Sequence, residues 1–226
     1  MGQNAAESST GMAERATGRG KREPLVLLAA AGLALAASAI HPKDLFTWFL
    51  EVAPILIGAP ILVATRRRFP LTPLAYRLLF VHALILMLGG HYTYAEVPLG
   101  FWVRDALGLA RNHYDRLGHF AQGFVPAILA REILLRRSPL RPGRWLFFLV
   151  TCVCLAISAC YELVEWWTAL LTGDSATAFL GTQGDPWDTQ WDMFLALVGA
   201  VTAQVTLARA HDRQLAVVAS TPAAVD

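Results

Sequence analysis

Six apolar runs, each close to the length of a membrane-crossing helix, constrain this chain more than any other feature. They are Pro24–Ile40, Leu45–Ala64, Leu74–Tyr94, Gly118–Leu135, Trp145–Leu171 and Trp191–Ala208. At 1.5 Å of rise per residue, about 20 residues span the ~30 Å hydrocarbon layer. Backbone amides left unpaired in lipid cost several kcal/mol each, so only helices and closed barrels cross it. These runs are too long and too continuously apolar for barrel strands. Composition agrees: 55% of the 226 residues are hydrophobic and 16% are charged, where a soluble domain has about 25% charged. The expected fold is all-α, a polytopic membrane protein with six transmembrane helices in one unit over residues 24–208. Residues 1–23 are polar and read as a disordered tail, and residues 209–226 as a second, C-terminal tail. The lipid bilayer is the implied partner, and nucleic acid is excluded. No internal repeat is visible, which speaks against an inverted-repeat transporter.

Charge sets the expected orientation. Fifteen of the 19 Lys and Arg fall on one side if six helices alternate, among them Arg66, Arg67, Arg68, Arg136, Arg137, Arg141 and Arg144. The other side holds Lys43, Arg104, Arg111 and Arg116. The positive-inside rule then puts both termini in the cytoplasm. Acids divide the opposite way, six inside and eleven outside, giving +9 inside and −7 outside. Acids contribute little to the positive-inside rule, so that rule does not explain their crowding at the outer end. The first run has a rival reading, because Ala37-Ser38-Ala39 resembles a signal-peptidase site. Its charged leader is long for a signal, and a retained anchor is expected.

Three stretches carry polar residues at helical spacing. Asp115, His119 and Gln122 stand at i, i+4 and i+7, as do Ser158, Glu162 and Glu165; Asp188 and Asp192 are four apart. Residues so spaced share a helix face. A charge within a span costs ~2.5–3.5 kcal/mol even on mild scales, so the glutamates point to function. The plainer readings are capping for Asp115 and an interfacial position for the glutamates beside Trp166 and Trp167. Glu51 adds an acid from the second run.

Gathered together, Asp115, His119, Glu162, Glu165, Asp188 and Asp192 would suit a divalent metal, with Arg116 as counter-ion. Histidine plus carboxylates fits zinc, manganese or iron, and carboxylates alone fit magnesium or calcium. The loop before Asp188 lacks EF-hand spacing. Cys152, Cys154 and Cys160 read as buried packing residues and His82 as a satisfied one. His41, His91, His113 and His211 have no distinctive partner spacing. Trp48, Trp102, Trp145, Trp187 and Trp191 fit interfacial belts.

Several strings resemble the YjdF family of bacterial inner-membrane proteins. They are Tyr114-Asp115-Arg116-Leu117-Gly118-His119-Phe120, Tyr161-Glu162-Leu163-Val164-Glu165-Trp166-Trp167, and Phe179 through Asp185 with Trp187-Asp188-Thr189-Gln190. Leu71-Thr72-Pro73-Leu74 and Met87-Leu88-Gly89-Gly90 belong with them. The resemblance covers nearly all the chain after residue 24. It implies a multi-pass inner-membrane protein and carries no activity with it. Asp115-Arg116-Leu117-Gly118-His119-Phe120 is more weakly similar to the Asp-Lys-x-x-His-Phe string of VanZ-like membrane proteins, with Arg in place of Lys.

The expected function is a periplasm-facing acidic and histidine site, metal-dependent, that binds or acts on an envelope lipid or cell-wall precursor headgroup. An enzyme would use His119, Glu162 and Glu165 as catalytic groups, through a metal or as acid and base. A cation- or proton-coupled transporter and a scaffold with no catalytic site are the alternatives. Against a complete transport path, the cytoplasmic halves are expected to hold almost no buried ionisable residues beyond His82.

Overall fold

The computed structural model describes residues 22–173 and 177–220. The expected polar tail over 1–21, the acid Asp174 and residues 221–226 lie outside the described residues. Everything described is helix or connection, with no strand. Helix α1 covers residues 22–38, α2 is Leu45–Thr65 and α3 is Pro73–Tyr92. A 3-10 turn, Tyr94–Glu96, and α4, Pro98–Leu107, lead to α5, Tyr114–Arg137. Then come α6, Arg144–Thr172, the single turn α7, Thr177–Leu180, and α8, Asp188–Ser220.

Local chemistry fixes the helix ends. Asp44 caps α2 by accepting from the Thr47 amide at 2.6 Å. Thr72 caps α3 by accepting from the Ala75 amide, with Pro73 at the first helical position, where its missing N–H costs nothing. Asn112 Oδ1 accepts from the Tyr114 amide at the start of α5. Asp115 follows in the first turn, while Arg136 and Arg137 occupy the last, each sign complementing the helix dipole. Gly173 closes α6 in the left-handed region at φ 58°, which glycine adopts without strain.

Among the described residues, four helices are long and apolar enough to cross a membrane: α2, α3, α6 and α8. The expected count was six. Helix α1 has 17 described residues, and α5 carries six charged residues along its 24. α5 has a physical reason to depart from the apolar pattern. It is the central helix, packed on α3, α6 and α8, so protein rather than lipid surrounds its charges. Outward faces of the other helices are apolar instead, with Ile57 and Ile61 on α2, Phe148 on α6 and Val205 on α8 exposed.

Three buried clusters share α3; in one, Tyr94, Val97 and Tyr114 pack against Ile85, Leu86 and Tyr92. Ala75, Ala127, Ile128, Leu146, Val150, Cys154, Ala200 and Ala203 pack α3, α5, α6 and α8 together. Trp48, Val52 and Met87 join α2 to α3, with Ala31, Ala34 and Leu35 of α1 against them. α5 and α8 approach most closely. A Cβ on Gly123 would lie 1.8 Å from the Ala196 carbonyl oxygen, and one on Gly199 2.1 Å from that of Phe120. Small residues let helix backbones meet in this way.

The structure corrects several expectations. Of the cysteines, Cys154 is buried while Cys152 and Cys160 are exposed, because only Cys154 lies on the face of α6 turned to the core. Trp48, expected at an interface, is buried, and its Nε1 donates to Ser38 Oγ at 3.0 Å. The Nε2 of His82 is shielded from solvent yet has no hydrogen-bond partner, so this histidine is not satisfied. α8 continues past Ala208 to Ser220, held by contacts that a detached tail would not make.

Those contacts also overturn the reading of the basic end as free of buried ionisable groups. Glu132 and His211 are both 0% exposed, and Arg131 is 4% exposed. Glu132 accepts from the Thr72 amide and hydroxyl and from Arg136. His211 Nε2 lies 3.1 Å from Glu132 Oε2 and its Nδ1 3.1 Å from Arg131. An arginine can only donate. His211 Nδ1 is therefore the acceptor, and Nε2–H donates to Glu132. Arg131 also reaches Asp212 at 2.7 Å. His211 and Asp212 lie beyond the sixth run, and Arg131 and Glu132 at the inner end of the fourth, where they were counted only as cytoplasmic-side charges.

Candidate functional site

His119 is the hub of the opposite end. It sits one turn into α5, 6% exposed. Its Nε2 lies 3.4 Å from Asp115 Oδ1 and 3.8 Å from Asp192 Oδ2. Its Nδ1 lies 3.1 Å from Gln122 Oε1 and 3.8 Å from Glu162 Oε1. Asp115 comes from the same helix, Glu162 from α6 and Asp192 from α8. The close α5–α8 packing at Gly123 and Gly199, about one and two turns further along, holds His119 against Asp192.

Two groups of ligand-type atoms result. One is Asp115, His119 and Asp192; the other is His119, Glu162 and Glu165; within each group the atoms lie within 4.8 Å of one another. Glu162 Oε1, Asp192 Oδ1 and the Ser158 hydroxyl are buried and have no hydrogen-bond partner among the described residues. Their residues are 7%, 2% and 0% exposed. Leaving such acceptors unpaired costs about 1–3 kcal/mol each, more when charged. Four carboxylates round one imidazole also repel one another strongly at modest dielectric. Imidazole nitrogen and carboxylate oxygens in a dry setting are a donor set for a divalent metal.

Asp188 stands outside both groups. Its carboxylate accepts from Arg111 at 2.8 Å. Arg116, expected as counter-ion of the cluster, pairs instead with Asp185 at 3.2 Å, and its guanidinium stacks 5.1 Å from the Trp191 ring. Arg111 also reaches Asp185 at 3.3 Å and the Thr182 carbonyl at 2.5 Å. Gln183 Nε2 donates to the Asn112 carbonyl. Both arginines thus fasten the loop before α8 to the start of α5 and, among the described residues, neither pairs with the inner carboxylates. His113, at this loop, is held below the usual imidazole range by burial and by Arg116 and Arg111.

Beside the cluster opens a cavity of about 730 Å³ bounded by α1, α2, α3, α5 and α6. Glu51, Tyr94, Asp115, His119, Tyr161 and Glu165 line its acidic end, Arg66 and Arg67 its basic end. Most of the wall between is apolar, including Leu28, Ala59, Leu62, Phe80, Ala83 and Leu129. The Tyr161 hydroxyl donates to Glu51 Oε2 at 3.5 Å. Tyr94 fills the gap between Gly89 and Gly118. Spacing within the chain gave no sign of the Glu51–Tyr161 contact, which joins residues of different helices. The order of apolar residues in α2 did not reveal the cavity either.

Residues 23–213 match the family described as "Predicted membrane protein (DUF2238)". The chain is 57% identical over 196 residues to "Inner membrane protein YjdF" of Escherichia coli (strain K12), covering 85% of this chain and 94% of that relative. No solved structure matches. This chain, with its four apolar membrane-length helices packed round a polar central one, therefore belongs to the DUF2238 family of membrane proteins.

Proposed function

We propose that the cluster round His119 is a divalent-cation site at the periplasmic face of a six-helix inner-membrane protein, and that it receives the polar headgroup of an envelope lipid or cell-wall precursor. Asp115, His119, Glu162, Glu165 and Asp192 would hold the cation. Asp188, already paired with Arg111, would orient the loop. One observation carries the reading: Glu162 Oε1 is buried, unpartnered and 3.8 Å from His119 Nδ1, and Asp192, whose Oδ2 lies 3.8 Å from His119 Nε2, buries its other oxygen, Oδ1, without a partner among the described residues. A cation would satisfy both and relieve the repulsion among the acids. When bound, such an ion acts as a Lewis acid toward phosphoryl or carbonyl oxygens. His119, Glu162 and Glu165 are the groups that would then move protons. The periplasmic side follows from the positive-inside rule, with α1 and α5 as the fifth and sixth spans and both termini in the cytoplasm. The name of the relative, an inner membrane protein, supports the location.

A proton or cation relay gains one observation, the buried Glu132–His211–Arg131 group at the basic end. Every member of that group is hydrogen-bonded to another, as in a structural network rather than a transfer site. Metal analysis of tag-free, detergent-purified protein tests the main reading. About one zinc, manganese or iron per chain, lost in Glu162→Gln and Asp192→Asn, is the expected result. Metal-free protein that also fails to take up any of these ions would refute it.

A further inference from the structure

The cavity beside the site is long, apolar along its wall and charged at its acidic end. From Glu51 to Arg66, which both line it, α2 advances about 22 Å. Its volume of about 730 Å³ falls in the range of ligand pockets, ~300–1,000 Å³. Apolar side chains fill the long middle, so a flexible hydrocarbon chain suits it better than a rigid polar metabolite.

Charge at the acidic end selects the head. Glu51, Asp115 and Glu165 face the cavity there, with Tyr94 and Tyr161 beside them, and no Lys or Arg lines that end among the described residues. Arg111 and Arg116, at the same end of the bundle, pair through Nη2 with Asp185, and Arg111 also with Asp188. Counting Glu162 and Asp192, five carboxylates converge round His119 and Tyr161. Glu51, outside both groups of ligand-type atoms, is buried at 5% exposure on the cavity side. A phosphate entering the cavity would meet these acids. An ammonium would be attracted by them and by the tyrosine faces, which bind cations through their π systems.

We infer that the cavity binds an amphiphile with one hydrocarbon chain along α2 and a cationic ammonium head between Glu51, Glu165, Tyr94 and Tyr161. This rests on the headgroup half of the proposed function and not on the bound cation. Long-chain primary amines carry that chemistry.

Native mass spectrometry of the full chain in a non-ionic detergent tests it, with hexadecylamine, hexadecanol, hexadecyl phosphate and butylamine as probes. Hexadecylamine is expected to bind at least tenfold more tightly than each of the other three. Glu51→Gln, which keeps the side chain's shape, should erase the preference for the amine over the alcohol. Ala59→Trp and Ala83→Trp should weaken hexadecylamine at least tenfold by filling the channel. Equal binding of butylamine, preference for the phosphate, or an unchanged Glu51→Gln protein would each overturn the inference. Metal content of the same samples reads the other proposal separately. Amine preference without metal upholds the ammonium pocket alone, whereas metal without amine preference refutes it and spares the cation site.

Discussion

His119 on α5 and Asp192 on α8 face each other with Nε2 and Oδ2 3.8 Å apart because their helix backbones touch about one turn further along. There Gly123 meets the Ala196 carbonyl, and Gly199 meets that of Phe120. A polar pair at the helix ends is thus positioned by side chains that are missing from the helix middles. Packing and site geometry are one feature of this fold.

A methyl group at either glycine should therefore disturb both stability and site. Gly123→Ala and Gly199→Ala are each expected to destabilise by about 1–3 kcal/mol through overpacking, read as a lower unfolding temperature in detergent, with weaker metal retention. Gly32→Ala on α1 has open space around the new Cβ and should be neutral or slightly stabilising, as alanine favours helix over glycine. Equal behaviour of the three variants would contradict the close-packing account.

The sequence showed the membrane class through run length, and it showed the acidic end through spacing on α5, α6 and α8. Those signals are local: an i, i+4 pair lies on one helix face whatever the fold. What stayed hidden depends on pairing between helices. Glu51 meets Tyr161 across 110 residues, and Glu132 meets His211 across 79; neither has a spacing to read. Arg116 was assigned to the cluster because it is adjacent to Asp115 in sequence. On the helix, adjacent residues point about 100° apart, and it turns to Asp185 instead. α5 is not among the apolar membrane-length helices because its charges face other helices, and hydropathy does not record what surrounds a residue.

The two buried acid groups should respond in opposite ways to losing a charge. Glu132 is an acceptor for Thr72, Arg136 and His211. Glu132→Ala should cost about 3–5 kcal/mol by leaving buried donors unpaired. Glu162→Gln removes one of several mutually repelling carboxylates, so metal-free protein should keep or gain thermal stability. A Glu162→Gln protein as unstable as Glu132→Ala would mark Glu162 as a structural residue.

Ser38, in the middle of the Ala37-Ser38-Ala39 string, is tied into the fold. Its hydroxyl accepts from Trp48 and its carbonyl lies 2.9 Å from His91 Nδ1, while Leu25 and Leu28 of α1 line the cavity. The intact mass of the purified protein is expected to include residues 1–39. A chain beginning at Ile40 would show that α1 is removed.

Fusion of a reporter active only in the periplasm checks the orientation. Activity is expected after Lys43 or Asp105, and silence after Arg67, Arg141 or Asp226. Activity after Asp226 would mean an odd number of spans.

Acidification should release the cation. Imidazole and carboxylate ligands bind metal in their deprotonated forms, so retention is full at high pH and falls as protons compete, which dialysis from about pH 8 to pH 5 would record. Retention that rises on acidification would contradict a histidine-carboxylate site.

The most direct measurement is the X-ray absorption spectrum of tag-free protein loaded with one zinc per chain. The account predicts a first shell of nitrogen and oxygen donors with the outer-shell scattering of one imidazole, and loss of that imidazole signature in His119→Gln. A sulfur donor, or an imidazole signature that survives His119→Gln, would contradict it.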